Sequence, residues 1–391
     1  MASLLRNIVA PLPPNLRLSW DVASDEEIRN RAMGVVQIDH SYFGSGDDTR
    51  HVNAWDYARN ATRKVALQYP ARNFGPLSTP IAADFNGMNA VGPDGAPGTR
   101  GLELGGGNLV NHRIRVECGT GTNSLFVQTG TIQYVSFQNL AFSGSAGSQW
   151  WHNTNPNTAS IYPLHMRNLT YDGFNSPLGN STNKFTFTQG KIDGQWTVLN
   201  YQATPIHWGG SDNDISAYIN SASPASVAGA GKPIFHWDYM EKTQVTGLVY
   251  ITAENAWSGH RVEGPVEREL RIFATVAEGR AAGNPATRPV WDIRGCHVIL
   301  YAPSINYVVN TNANGAIVQS AGVLEVYSPH YRKATAAAAD FPLFYQTGGL
   351  AHISRPLSAD GNAVRLRWKD AALGAQNQDI PYPTGNSVTT W

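Results

Sequence analysis

A chain of 391 residues with 29 Lys+Arg and 29 Asp+Glu has no formal net charge, which excludes bulk electrostatic attraction to nucleic acid or anionic membrane as the basis of its function. Gly (38) and Pro (23) are abundant and 15% of residues are charged, a mix suited to many short strands joined by turns rather than to long helices. No stretch is apolar for long enough to span a bilayer as a helix. Cys118 and Cys296 lie far apart without CxxC or Cys/His ligand spacing, so thiolate-bound zinc is not expected and each reads as a small buried hydrophobe. The sequence assigns no cofactor and no metal.

Residues 1–23 are Pro-rich and read as an extended arm. The opening MASLLRNIVAPLPP lacks the apolar core and small-residue cleavage site of a secretory signal, so synthesis as a soluble protein in a cytosol is expected. Ser24-Asp25-Glu26-Glu27 is a capping-box pattern that predicts a helix over 25–36, with Ile28, Ala32, Val35 and Val36 on one face. A second short helix is expected near Trp55–Leu67. From Gly92 to Gly101, glycine occupies every third position, the spacing a collagen triple helix requires, but the register fails at Leu104. So few triplets read as a Gly/Pro-rich connector that closes an N-terminal anchoring and assembly region, residues 1–104.

Residues 105–370 read as an all-β body. Val135–Gly144 (VSFQNLAFSG) holds two apolar pairs, Val135/Phe137 and Leu140/Phe142, separated by Gln138-Asn139: a strand, a bend and a strand. Leu164–Gly173 (LHMRNLTYDG) repeats the design around Arg167-Asn168, and Phe185–Gly194 (FTFTQGKIDG) is a weaker copy. Trp291–Val298 restores it around Arg294-Gly295. Starts at 135, 164 and 185 give intervals of 29 and 21 residues, the scale of a β-solenoid coil with insertions. Long polar insertions at 145–160, 174–184, 221–232 and 277–289 are expected to project from the coil edges. Residues 371–391 form a polar tail expected to be extended.

These units, with Asn139 and Asn168 at the turn position, resemble the right-handed parallel β-helix of pectate-lyase-like proteins over about two-thirds of the chain. The layout as a whole is similar to phage tail spikes, fibres and minor tail proteins. That resemblance implies a virion-anchoring N-terminal segment, a Gly-rich connector and a homotrimeric body in the phage tail. It also implies contact with other tail proteins and with a host-surface glycan, with no nucleic acid partner and no membrane insertion.

Catalysis by such a body would need paired carboxylates on neighbouring coils. Asp212-Asn213-Asp214 faintly echoes the Asn-x-Asp of polygalacturonase-like proteins, and Ser258-Gly259-His260-Arg261 their Gly-His-Gly. Asp47-Asp48 lies outside the body, and the final Arg-x-Lys element is absent. Asp238, Glu241 and Glu254 are a second acidic group, of the residue type with which pectate lyases hold calcium; each also reads as an ordinary solvated charge. Glu263, Glu267 and Glu269 alternate with Arg261, Arg268 and Arg271 as a mixed-charge surface. Trp150, Trp151 and Trp208 are candidates for stacking on sugars, or else for packing a loop against the coil. The expectation is a structural, receptor-facing tail component, with a tail-borne polysaccharide depolymerase (hydrolase or lyase) and a free carbohydrate-active enzyme as alternatives.

Overall fold

The computed structural model describes residues 35–60, 66–70, 72–84, 88–91, 116–119, 124–179, 183–222, 232–247, 249–254, 258–273, 276–280, 289–307, 315–333, 343–354, 357–358 and 366–368. They build a parallel β-solenoid. The predicted connector at 92–101, the tail at 371–391 and the helix at 25–36, up to residue 34, lie outside the described residues.

Three faces run along the stack. The first contains Met88–Val91 and the opening halves of Ile132–Ser143 and Ile161–Asp172, continued by Asp214–Ile215, Thr243–Val245 and Glu269–Phe273. The second takes the closing halves of those two long strands and continues through Tyr218–Ala222, Val249–Glu254 and Val276–Arg280. Ser124–Gln128 and Gln149–Asn153 begin the third, which a bridge through Leu178 carries to Ile206–Ser211, Pro233–Glu241 and Ser258–Glu263. Each strand's backbone groups bond to the coils above and below, so alternation within a strand decides which side chains fill the lumen.

The 135–144 unit is one such coil corner. Val135, Phe137 and Phe142 are fully buried and Leu140 is 2% exposed. Val135 pairs with Leu164 and Phe142 with Tyr171, so the second copy stacks directly on the first. The bend is a left-handed residue at Asn139 (φ 56°), then Asn168 (φ 51°), then Gly194 (φ 77°) on the next coil. Asn suits this conformation because its short amide bonds locally. Asn168 Nδ2 donates to Asn139 Oδ1 at 2.8 Å, and Asn168 Oδ1 accepts from Gln195 N at 2.9 Å.

The other two copies fall elsewhere. Met166 pairs with Ile192, while Phe185 and Phe187 pair with Trp208 and Gly210 on the third face. Phe185–Gly194 therefore straddles a different corner, and so does Trp291–Val298, whose Trp291 pairs with His260 on the third face. Strand alternation looks alike at every corner, so spacing alone misassigned these two. The 145–160 insertion also contributes a core strand, Gln149–Asn153.

Stacking begins before residue 105. Val35–Gln37, Ala66–Gln68 and Met88–Val91 pair in parallel and lead onto Ile132–Ser143, so Val35 and Val36 are strand residues, as their β-branching favours. The helix α1 spans Asp47–Asn60, starting earlier than expected near Trp55. His51, Ala54, Trp55 and Ala58 form its buried stripe, and Trp55 packs 5.1 Å from Phe126 and 6.4 Å from Phe137 between ring centroids. Asp47 accepts both Arg72 nitrogens at 2.7 Å and Gly75 N at 3.0 Å. Asp48 accepts Ser78 and Thr79 through backbone and hydroxyl groups, from 2.7 to 3.0 Å. The Arg72 bond chiefly holds the Asp47 carboxyl below the usual range, and both anions favour a helix N-terminus.

Asn168→Ala leaves a β-carbon at positive φ and removes both corner bonds, so chemical denaturation is expected to show a loss of about 1–3 kcal/mol. Asn168→Gly should lose less, because only the bonds go. Gly194→Ala should be the worst of the three, its new β-carbon overlapping Asn168 Oδ1.

Candidate functional site

Successive residues of each third-face strand point to opposite sides. Ile206 and Trp208, and on the next coil Phe235 and Trp237, are all fully buried in the lumen. His207 and His236, between them, project outward at matching register and stack with ring centroids 4.1 Å apart at 9°. Arg261 and Asp292 follow at the same register on the next two coils. A parallel row carries Asp238 and Glu263, paired across coils, and Arg294 reaches into it.

These rows interlock. His207 Nε2 lies 3.2 Å from Asp238 Oδ2, and Lys184 Nζ 3.3 Å from the same oxygen. His236 Nε2 lies 3.2 Å from Glu263 Oε2. Arg261 Nε is 3.2 Å from Asp292 Oδ2, which Arg294 also holds through Nε at 2.9 Å. Burial opposes ionisation of Asp238, but the His207 hydrogen bond and the Lys184 charge outweigh it and hold its carboxyl below the ordinary range. The His236 bond does the same for Glu263, against the cost of burial. Burial pushes His236 below the usual imidazole value despite Glu263 beside it. His207, His236 and Asp238 bring one ligand atom each to within 4.8 Å of one another, the geometry of a possible cation site.

No protein family, curated protein or solved structure matches the chain.

Of the acids singled out from sequence, Asp212 is exposed at a left-handed turn (φ 55°) and Asp214 is exposed at a strand start. It is Asn213, between them, that is buried, accepting Gly190 N at 2.8 Å. Glu241 is held by Arg268. Glu254 lies on Val249–Glu254, with its side chain outside the described residues. Among the candidates with described side chains, only Asp238 joins the ladder, beside Glu263, which sequence placed in a mixed-charge surface. The Trp candidates all line the core: Trp150 and Trp208 are fully buried and Trp151 is 1% exposed, its Nε1 donating to Gln128 Oε1 at 2.9 Å. Trp150 sits 4.9 Å from Phe137 and Trp208 5.1 Å from Phe235, so no ring face is presented to a sugar. His207 and His236 were missed, although Ile206-His207-Trp208 and Phe235-His236-Trp237 repeat an apolar-His-Trp triplet one coil apart.

His260 points into the lumen, stacks 3.8 Å from Trp291 and accepts from Trp237 Nε1 at 3.1 Å. Burial depresses its pKa to about 3, as it does that of His51 on α1. An unfolded chain takes up these protons once the pH falls below 6.5, while the folded chain refuses them until about 3. Stability from both groups is therefore complete above that window and lost within it, at about 1.4 kcal/mol per pH unit for each. Denaturation midpoints should fall between pH 6.5 and pH 4, and His260→Gln should flatten that fall.

Proposed function

We propose that the chain is a structural, receptor-facing component of a phage tail, of the spike, fibre or minor tail protein type, whose β-solenoid serves as a rigid rod. The tail assignment rests on the sequence resemblance, and the observation that supports its structural, non-catalytic side is the state of the wall carboxylates. Among the described residues, Asp238 and Glu263 are acids paired side by side on adjacent coils, and cations and imidazoles hold both as anions. Acid catalysis of sugar cleavage needs one partner kept protonated, and neither is arranged for that. A ladder so closed on itself stiffens the rod instead.

Glycan contact in this reading falls to outward side chains rather than to the buried Trp rings. Phe273, Tyr301 and Tyr327 stack along the first face with centroids 4.4 and 5.3 Å apart. Tyr327 OH donates to Glu325 Oε2 at 2.5 Å, and His297 Nε2 lies 2.8 Å from Glu325 Oε1. Rings beside carboxylate and imidazole groups suit a polyhydroxylated ligand. The large apolar side chains exposed among the described residues are Tyr162, Tyr239, Val266 and Leu350, on separate coils. A homotrimer would accordingly be held by polar contacts among the described residues rather than by an apolar seam.

The depolymerase alternative has one observation in its favour, the adjacency of Asp238, Glu263 and two imidazoles. Purified protein incubated with surface polysaccharides of candidate hosts should bind without releasing reducing ends or unsaturated products, and Tyr327→Ala should weaken binding several-fold. Reproducible cleavage that Asp238→Asn abolishes would overturn the non-catalytic reading. Light scattering should give three chains per particle; a monomer at micromolar concentration would remove the trimer from the proposal.

A further inference from the structure

We propose that His207, His236 and Asp238 bind a divalent transition-metal cation of the zinc, cobalt or nickel class, with Glu263 as the fourth donor, so that the ion staples successive coils of the rod. The inference stands independently of the tail assignment.

Placement comes from the fold. Inward Trp208 and Trp237 fix the register of the two strands, so alternation leaves His207 and His236 outward and directly superposed. Asp238, two residues beyond His236, shares its face, and register sets Glu263 beside Asp238 on the next coil. Nitrogen and oxygen ligands about 2.0–2.2 Å from a tetrahedral ion lie roughly 3.3–3.6 Å from each other. The His207–Asp238 and His236–Glu263 separations, both 3.2 Å, already match such edges. The His207, His236 and Asp238 ligand atoms lie within 4.8 Å of one another, so the edges among these three close with modest ring movement, while Glu263, bonded to His236, must swing toward the ion to complete the set. Parallel imidazoles aim their lone pairs along parallel lines, so the rings must tilt away from their 9° stack to share an ion.

A cation already occupies the corner of this cluster. Lys184 Nζ sits 3.3 Å from Asp238 Oδ2, where its ammonium neutralises the carboxylate. Its long stem allows it to leave the carboxylate, and the half-exposed Tyr239 ring, over which the same ammonium already lies at 4.7 Å, can keep hold of it. Lys184 therefore competes with the metal. Imidazole donors favour borderline transition metals, whereas magnesium and calcium prefer sites made wholly of oxygen.

The test uses the full chain, stripped with chelator and dialysed. Calorimetric titration with Zn2+ and optical titration with Co2+ should each give saturable binding of one ion per chain, and Mg2+ and Ca2+ at equal concentration should give none. His236→Gln and Asp238→Asn, checked for native circular dichroism, should each lower Zn2+ affinity at least tenfold. Lys184→Met should raise it several-fold, a gain that no merely structural role for Lys184 produces. Absence of saturable Zn2+ and Co2+ binding by the folded wild-type chain would overturn the proposal. So would wild-type affinity in both His236→Gln and Asp238→Asn, or weaker binding in Lys184→Met.

Discussion

Parallel stacking obliges each coil to offer its backbone hydrogen bonds along the stack axis, leaving only side chains to face the lumen and the outside. Everything else follows from that division. Inward positions are mainly apolar, with His260 among the buried polar exceptions, and Phe137, Trp150, Tyr171, Trp196, Trp208 and Trp237 form a continuous aromatic column. Outward positions meet their own register partners about 5 Å away, so like side chains stack and unlike charges pair. Corners must turn without losing the axial bonds, and left-handed residues at Asn139, Asn168 and Gly194 accomplish this.

The ends of such a stack need separate treatment, because an open lumen would expose this column to water. Here α1 supplies Trp55 and His51 to the opening coils, where they pack on Phe126 and Phe74. The Asp47 and Asp48 carboxylates tie it to residues 72–79, so the acid pair that resembles a catalytic Asp-Asp in sequence is a structural clasp.

The architecture was legible where the alternation was clean. Val135, Phe137, Leu140 and Phe142 could be assigned inward because each faces a polar neighbour, and their 29-residue echo marks a true coil-to-coil step. What defeated the sequence was identity among corners: Phe185 and Trp291 carry the right pattern on the wrong face. Trp150 and Trp151 in a Ser/Gly/Asn-rich stretch look exposed until Gln149–Asn153 is seen to pair with Ser124–Gln128. The ladder was hidden for a different reason. His207, Asp238 and Glu263 gain meaning only through register, and insertions of unequal length between coils erase that register from the linear chain.

The ladder also sets how the protein can change over generations. Asp238 answers to Lys184 and His207 on earlier coils, and Glu263 to His236 and Arg294 on coils either side. A single charge reversal thus disturbs His207, His236 or Arg294 from 27 to 31 residues away, as well as neighbours two positions along the chain, as in Asp292–Arg294. A charge change along the wall would therefore call for compensation one coil away, giving this surface a grammar whose period is the turn of the solenoid.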